Sequence, residues 1–272
     1  MPHLWLRVAA ILYAIGTLYA LVALWRRREI AGRYVAPIAA AGALLHLVSV
    51  LETSLAEVEF APTLAKQAES ILALVLVAFF LFVYWRYKTA SHALFIFPIA
   101  TLLTLSAAVG QRPPNFASPL LRSGWIYTHI ALIFIGYAAL LFSFLSSVLY
   151  LLQERTLKSK SFESGALGRL PSLAVIDDIG QRSLVLGFPF MTLGMIAGAV
   201  LAASTVGRGY FQDPKVVLSL LMWAVYMLLL FTRWTAGWRG RRAAVLSAVA
   251  FVCATAAWAA NYIGMAHQTV GR

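Results

Sequence analysis

The stretch Gly207–Val216, GRGYFQDPKV, is a polar interruption between two long apolar runs, residues 184–206 and 216–234. It groups Asp213 with two basic residues where the neighbouring sequence is almost free of charge. Each flanking run has the roughly 20 residues that a helix needs to cross a bilayer core of about 30 Å. Because a backbone inside lipid must satisfy its own hydrogen bonds, both runs are predicted to be helices. The stretch is therefore predicted to be a turn in water between two membrane-spanning helices.

The composition of the whole chain leads to the same class of protein. Of the 272 residues, 61% are hydrophobic and only 12% are charged. A water-soluble domain of this length could not bury so much apolar surface, so lipid must replace part of the core. In a soluble protein the net charge of +12 would suggest nucleic acid. Basic loops at one membrane face explain it better here, and no nucleic-acid partner is expected.

Eight apolar runs are long enough to cross the bilayer, and they predict an all-α fold in which residues 1–272 form one transmembrane domain, a bundle of eight helices. The runs are residues 4–25, 36–55, 68–85, 93–110, 126–152, 184–206, 216–234 and 243–264. The segments between them alternate between two sides, which carry fifteen and six of the 22 Lys and Arg residues. The positive-inside rule makes the richer side cytoplasmic and both termini extracytoplasmic. We expect a multi-pass membrane protein.

The longest predicted cytoplasmic loop is residues 153–183. Apolar side chains at three-residue spacing from Leu173 to Ile179 predict a short interfacial helix that leads into the sixth span. Asp177 and Asp178 are expected on a solvated face of this helix, and a metal site is the alternative.

Histidines are the main candidates for chemistry, because an ionisable side chain inside lipid is costly and needs a reason. His46 lies in the middle of the second run, His129 opens the fifth run at its outer end, and His267 lies just beyond the outer end of the eighth. His3 and His92 are expected to be solvated. Neutral imidazole is a ligand for haem iron, and two histidines can bind it together. For each histidine taken singly, the alternative is a hydrogen-bonded packing role.

Motifs of the common catalytic chemistries do not occur in a suitable context: there is no HExxH, GxSxG, Walker loop or dinucleotide fingerprint. Glutamates surround the first outer loop, where a cation site or proton relay is an alternative to an ordinary polar loop. They are Glu52, Glu57, Glu59 and Glu69. Nothing in this set resembles an acid–base pair with a substrate pocket.

Residues 170–240 resemble the cytochrome c assembly protein family (CcsA/CcmC type), whose members are haem-handling membrane proteins. The motifs that carry the resemblance are Leu170–Leu173, Gly187–Gly194 with Gly198, Asp213–Lys215, Trp223, Tyr226 and Gly237–Arg242. In the family, the Asp-Pro-Lys stretch ends a tryptophan-rich signature. Here Tyr210 and Gln212 stand where tryptophans are expected, and Val216 replaces a glutamate. This degenerate signature is most similar to the YpjD/HemX-like branch.

The resemblance implies a non-covalent b-type haem held at the extracytoplasmic face. It implies that His129 and His267 bind the iron, and that His46 is the membrane-embedded histidine of the site. The remaining residues implied to face the haem are Tyr210, Phe211, Asp213 and Trp223. The implied partners are the lipid bilayer, haem and a separate cytochrome c assembly subunit. The implied location is a bacterial inner membrane. Because haem is ligated and delivered without bond chemistry in the polypeptide, the protein is expected not to be an enzyme.

Two other functions are weighed against haem handling. The replaced tryptophans favour a haem-free membrane scaffold or regulatory protein with the same fold, which would use residues 153–183 to contact a partner. A small-solute transporter is the third possibility, but apart from His46 the spans offer few polar side chains to line a pore.

Overall fold

The computed structural model describes residues 4–26, 30–56, 65–109, 124–158, 170–203, 214–238 and 240–270, and the side chains of residues 257–270 fall outside the description. Within these ranges the chain forms eight α-helices. They are α1 (Leu4–Trp25), α2 (Gly32–Ala56), α3 (Ala65–Tyr87), α4 (Ala93–Val109), α5 (Gly124–Lys158), α6 (Leu173–Ala203), α7 (Pro214–Thr235) and α8 (Arg241–Val270).

The all-helical class is confirmed, and each predicted run overlaps one helix of the described chain. Six of the described helices, α1, α2, α3, α5, α6 and α7, are long and apolar enough to cross a membrane. Helix α4, with 17 residues, is shorter. The chain is a multi-pass membrane protein, whereas eight spans and extracytoplasmic termini stay predictions.

Large apolar side chains point away from the helix contacts in several helices. In α1, Ile11 and Leu18 are about 60% exposed, while Ala10 and Ala20 are buried. In α8, Val252 is 63% exposed and Ala250 is buried. At these positions small residues lie between helices and large aliphatic ones on the outside, which is the arrangement expected where lipid solvates the outer surface.

The predicted loop at residues 153–183 is shorter than expected. Helix α5 continues to Lys158, and α6 begins at Leu173, so the predicted interfacial helix forms the first turns of α6. The physical reason is that one buried stripe runs from Ile176 along α6 to Met191. The cytoplasmic position of this segment stays a prediction.

The helices group into two compact units, and a single domain over residues 1–272 stays a prediction. Unit 1 contains residues 1–130 and 152–175. In it, α1 and α3 each pack against both α2 and α4. Buried aromatic rings fill its centre: the ring centroids of Tyr13 and Phe80 lie 6.4 and 6.0 Å from that of Phe97.

Unit 2 contains residues 131–151 and 176–272, and α7 packs along α8 in it. Glycines allow α5 and α6 to approach closely. A Cβ atom added at Gly187 would lie 2.9 Å from Ala139 Cβ and 3.2 Å from the Gly136 carbonyl oxygen. At Gly194 it would lie 2.8 Å from the Ile133 side chain, and at Gly180 3.1 Å from Ser146 Cβ. Because rising numbers on α6 meet falling numbers on α5, the two helices are antiparallel.

Several hydroxyl side chains donate hydrogen bonds to the backbone of their own helix. Thr101 Oγ1 donates to the Phe97 carbonyl at 2.7 Å, and Thr104 Oγ1 donates to that of Ala100 at 2.6 Å. Ser147 Oγ donates to the Ser143 carbonyl at 2.9 Å. This bond to the carbonyl four residues earlier lets Ser and Thr sit in an apolar helix without an exposed donor.

Candidate functional site

His46 lies fully buried in unit 1, where it joins three helices. Its Nε2 is 2.8 Å from Ser70 Oγ on α3, and its Nδ1 is 3.5 Å from the Tyr13 hydroxyl on α1. Because a hydroxyl can donate or accept, either neutral tautomer can use both contacts. Both ring nitrogens are therefore occupied, and His46 could bind iron only by giving up one of these partners.

The prediction that His92 is solvated is wrong. Its side chain is 1% exposed in the turn before α4, and its carbonyl oxygen accepts from the amides of Phe95 and Ile96. Ala90 and Ala93 beside it are also buried, so the segment packs inward rather than extending into water. Burial disfavours the charged imidazolium and lowers the pKa of His92 to about 4.

We expect the protein to lose stability through His92 as the pH falls from about 7 to about 4. The ordinary pKa of about 6.5 applies in the unfolded chain, so the unfolded state takes up the proton first. No stability is lost through His92 above about pH 6.5; the loss grows below this pH and reaches about 3 kcal/mol near pH 4. The measurement is the free energy of unfolding in a dodecyl sulfate titration at several pH values. His92→Gln should flatten this pH dependence and His3→Gln should not; equal slopes for His92→Gln and wild type would contradict it.

Of the outer residues predicted to hold haem, His129 is the one whose side chain is described. It lies in the second turn of α5 and is partly buried. The backbone of His267 belongs to α8, which continues past the predicted end of the eighth run, and its ring is outside the described side chains. Tyr210, Phe211 and Asp213 lie outside the described residues. The proposed pair of iron ligands therefore stays a prediction.

Trp223 is fixed against α6 inside unit 2. Its Nε1–H donates to Thr192 Oγ1 at 2.9 Å, and its ring stacks on Phe188 with centroids 5.7 Å apart. Thr192 Oγ1 in turn donates to the Phe188 carbonyl at 2.8 Å. The nine residues from Pro214 to Trp223 place the indole about 14 Å along α7. Trp223 thus has a defined packing role, and a contact with haem stays a prediction.

A buried charged cluster in unit 2 was missed by the sequence analysis. The Arg233 side chain is 3% exposed; its guanidinium donates to Gln181 Oε1 at 2.8 Å and lies 3.3 Å from Asp177 Oδ1. The prediction that Asp177 lies on a solvated face is therefore wrong, whereas Asp178 forms an exposed pair with Arg182. The sequence signal for this cluster was the charge of Arg233 near the end of the apolar helix α7. Within the described ranges, His, Cys, Asp and Glu side chains form no group of three that could hold a metal ion.

Known proteins resemble this chain over most of its length. The family described as cytochrome C assembly protein matches residues 35–258. The cytochrome c biogenesis protein CcsA of Trieres chinensis is 29% identical over 215 residues, covering 67% of this chain and 69% of that protein. CcsA of Heterosigma akashiwo (strain CCMP452 / OLISTH) is 27% identical over 240 residues, covering 75% and 74%. CcsA of Guillardia theta is 28% identical over 250 residues, covering 84% and 83%.

The matched range contains most of the features described above. It begins in α2, includes His46, His129 and Trp223, and ends within α8; His267 lies beyond it. It also contains both ends of the contact between Asp177 and Arg233. From its second helix into its eighth, the chain belongs to the cytochrome c assembly protein family.

Proposed function

We propose that the protein handles haem in cytochrome c assembly and holds it at the extracytoplasmic face of a bacterial inner membrane. The match to the cytochrome c assembly family over residues 35–258 carries this proposal. The relatives are named cytochrome c biogenesis proteins, which agrees with a role in assembly. Haem is ligated and passed on without bond chemistry by this chain, and a separate assembly subunit is a partner.

His129 and His267 are the proposed axial ligands of a non-covalent b-type haem. The donor chemistry fits, because the neutral imidazole of a partly buried histidine binds haem iron. Iron in such a site would supply the redox-active centre that the cytochrome later uses. The residues proposed to contact the porphyrin are Tyr210, Phe211, Asp213 and Trp223.

His46 fits a different role better than that of an axial ligand. Its two ring nitrogens contact Ser70 and Tyr13, so the buried ring already joins α1, α2 and α3. In the proposal His46 supports the site by holding these helices together. Binding iron directly would cost it the 2.8 Å contact with Ser70.

An absorption spectrum of the purified full-length protein tests the proposal. We expect a Soret band that shifts on reduction with dithionite, because haem is retained by two imidazoles. His129→Ala and His267→Ala should each lower the haem bound per protein by at least about tenfold, since even the outer partners of metal ligands affect affinity on that scale. His3→Ala, a histidine outside the proposed pair, is the matched control and should keep the band.

Two outcomes would contradict the proposed ligands. A colourless protein from haem-replete cells would favour the haem-free scaffold instead. A band that survives His129→Ala together with His267→Ala but is lost in His46→Gln would transfer the ligation to His46. Thermal unfolding of each variant separates loss of haem from loss of fold.

A further inference from the structure

A groove of about 520 Å³ opens at the beginning of α8, within unit 2. It is lined by Trp238, Arg241, Arg242, Val245, Leu246 and Val249. Its residues come from the short connection after α7 and from the first turns of α8. The groove is open to the outside, and its lining includes none of the residues proposed to hold haem.

One end of the groove is positively charged. Arg241 and Arg242 are both exposed. Among the ion pairs of the described residues, neither arginine has a carboxylate partner. The Arg242 guanidinium lies 5.9 Å from the centroid of the Trp238 ring, which holds it near the groove. Two neighbouring arginines in the lining of one groove favour a ligand with a phosphate or carboxylate group.

The other end of the groove is apolar. Val245 and Val249, one turn apart on α8, are 51% and 47% exposed. The seven residues from Arg242 to Val249 correspond to about 10 Å of helix, so charge and valines form one continuous strip. The opposite face of α8 packs into the core of unit 2, where Ala243 and Ala250 are buried. A water-soluble anion would leave the valine surface uncovered.

The end of the apolar span of α7 indicates the level of the groove relative to the lipid. The apolar span of α7 ends at Thr235, and α8 packs along α7, so Arg241 begins α8 close to that level. Trp234 and Trp238 flank the same position, and tryptophan is enriched at membrane–water interfaces. A phospholipid beside α8 would have its phosphate at the arginines and its acyl chain beside the valines.

We propose that this groove binds an anionic phospholipid. Arg241 and Arg242 receive the phosphate, Trp238 packs against the glycerol region, and Val245 and Val249 contact the upper part of an acyl chain. An anionic lipid is preferred to a zwitterionic one, because its headgroup carries a net negative charge that attracts the two arginines. This inference does not depend on haem binding.

The test counts lipids that stay bound to the purified full-length protein. The protein is incubated in detergent micelles with equal amounts of phosphatidylglycerol and phosphatidylcholine that carry the same acyl chains, and retained lipid is measured by native mass spectrometry. We expect wild type to retain phosphatidylglycerol preferentially. R241Q/R242Q should lower that preference by roughly thirtyfold, since each basic residue at a membrane surface contributes about fivefold.

R155Q/K158Q is the matched control, because it removes the same charge from exposed positions at the end of α5. It should keep the preference for phosphatidylglycerol. Equal loss in both double variants, or no loss in R241Q/R242Q, would overturn the proposal. Displacement of phosphatidylglycerol by an equal concentration of haem would assign the groove to a haem carboxylate and also overturn it. Thermal unfolding checks that the variants are folded, and none of these readouts requires the proposed haem ligands.

Discussion

Replacement of Arg233 by methionine is expected to destabilise the protein by about 3–5 kcal/mol, the usual cost of removing one partner of a buried ion pair. The Arg233 side chain is 3% exposed, and its guanidinium contacts both Asp177 and Gln181. Methionine keeps a long side chain but leaves the Asp177 carboxylate without this partner. Because Asp177 and Arg233 lie on α6 and α7, the lost contact is one that holds two helices together.

Arg182 supplies the control for this experiment. It pairs with Asp178 at 2.9 Å, but the two side chains are 62% and 41% exposed. Arg182→Met should therefore change the free energy of unfolding by less than about 1 kcal/mol. Both variants are compared by dodecyl sulfate titration in mixed micelles. D177A/R233M should be less destabilised than Arg233→Met alone, because no unpaired carboxylate remains; similar values for Arg233→Met and Arg182→Met would refute the importance of the buried pair.

Gly187→Leu is expected to destabilise unit 2 by about 3 kcal/mol or more. The first added atom would already lie 2.9 Å from Ala139 Cβ and 3.2 Å from the Gly136 carbonyl oxygen. The carbonyl belongs to the backbone of α5 and cannot rotate away, so the helices must separate. Overpacking of a close contact typically costs about 1–3 kcal/mol, and here the lost packing along α5 adds to it.

Ala174→Leu is the matched variant for Gly187→Leu. It adds a leucine to the same helix at an exposed position. It should change the free energy of unfolding by no more than about 0.5 kcal/mol. The same detergent titration measures both variants, and an equally small effect at Gly187 would show that α5 and α6 are not closely packed there.

The eight helices of the described ranges could be predicted because each coincides with a long apolar run in the sequence. The ends of the helices could not be predicted from hydropathy alone. A helix can continue beyond its apolar run where backbone hydrogen bonds and side-chain ion pairs four residues apart stabilise it. Lys158 bonds Glu154 at 2.7 Å in the last turn of α5. Arg182 bonds Asp178 in the third turn of α6. Both pairs are four residues apart, and this spacing in the sequence was the available signal for longer helices.

The buried polar contacts were less accessible to sequence reasoning. His46 was recognised as a candidate because it lies within an apolar run, but its partners Tyr13 and Ser70 are on other helices. Asp177 and Arg233 lie far apart in the chain, so no local spacing reveals their contact. The glycines at 180, 187 and 194 do have a regular spacing of seven residues, which marks one face of α6.

The hydroxyls that bond to their own helix backbone affect how readily a helix enters the membrane. Hydropathy scales assign each Ser or Thr the transfer penalty of a hydroxyl that has lost water. Thr101 and Thr104 do not lose their hydrogen bonds in lipid, because their hydroxyls donate to the carbonyls of Phe97 and Ala100 in the same helix. Such a helix should partition from the translocon into lipid more readily than its amino-acid composition indicates. Helix α4 has only 17 residues, and the two internal hydrogen bonds would favour the membrane span that is predicted for it.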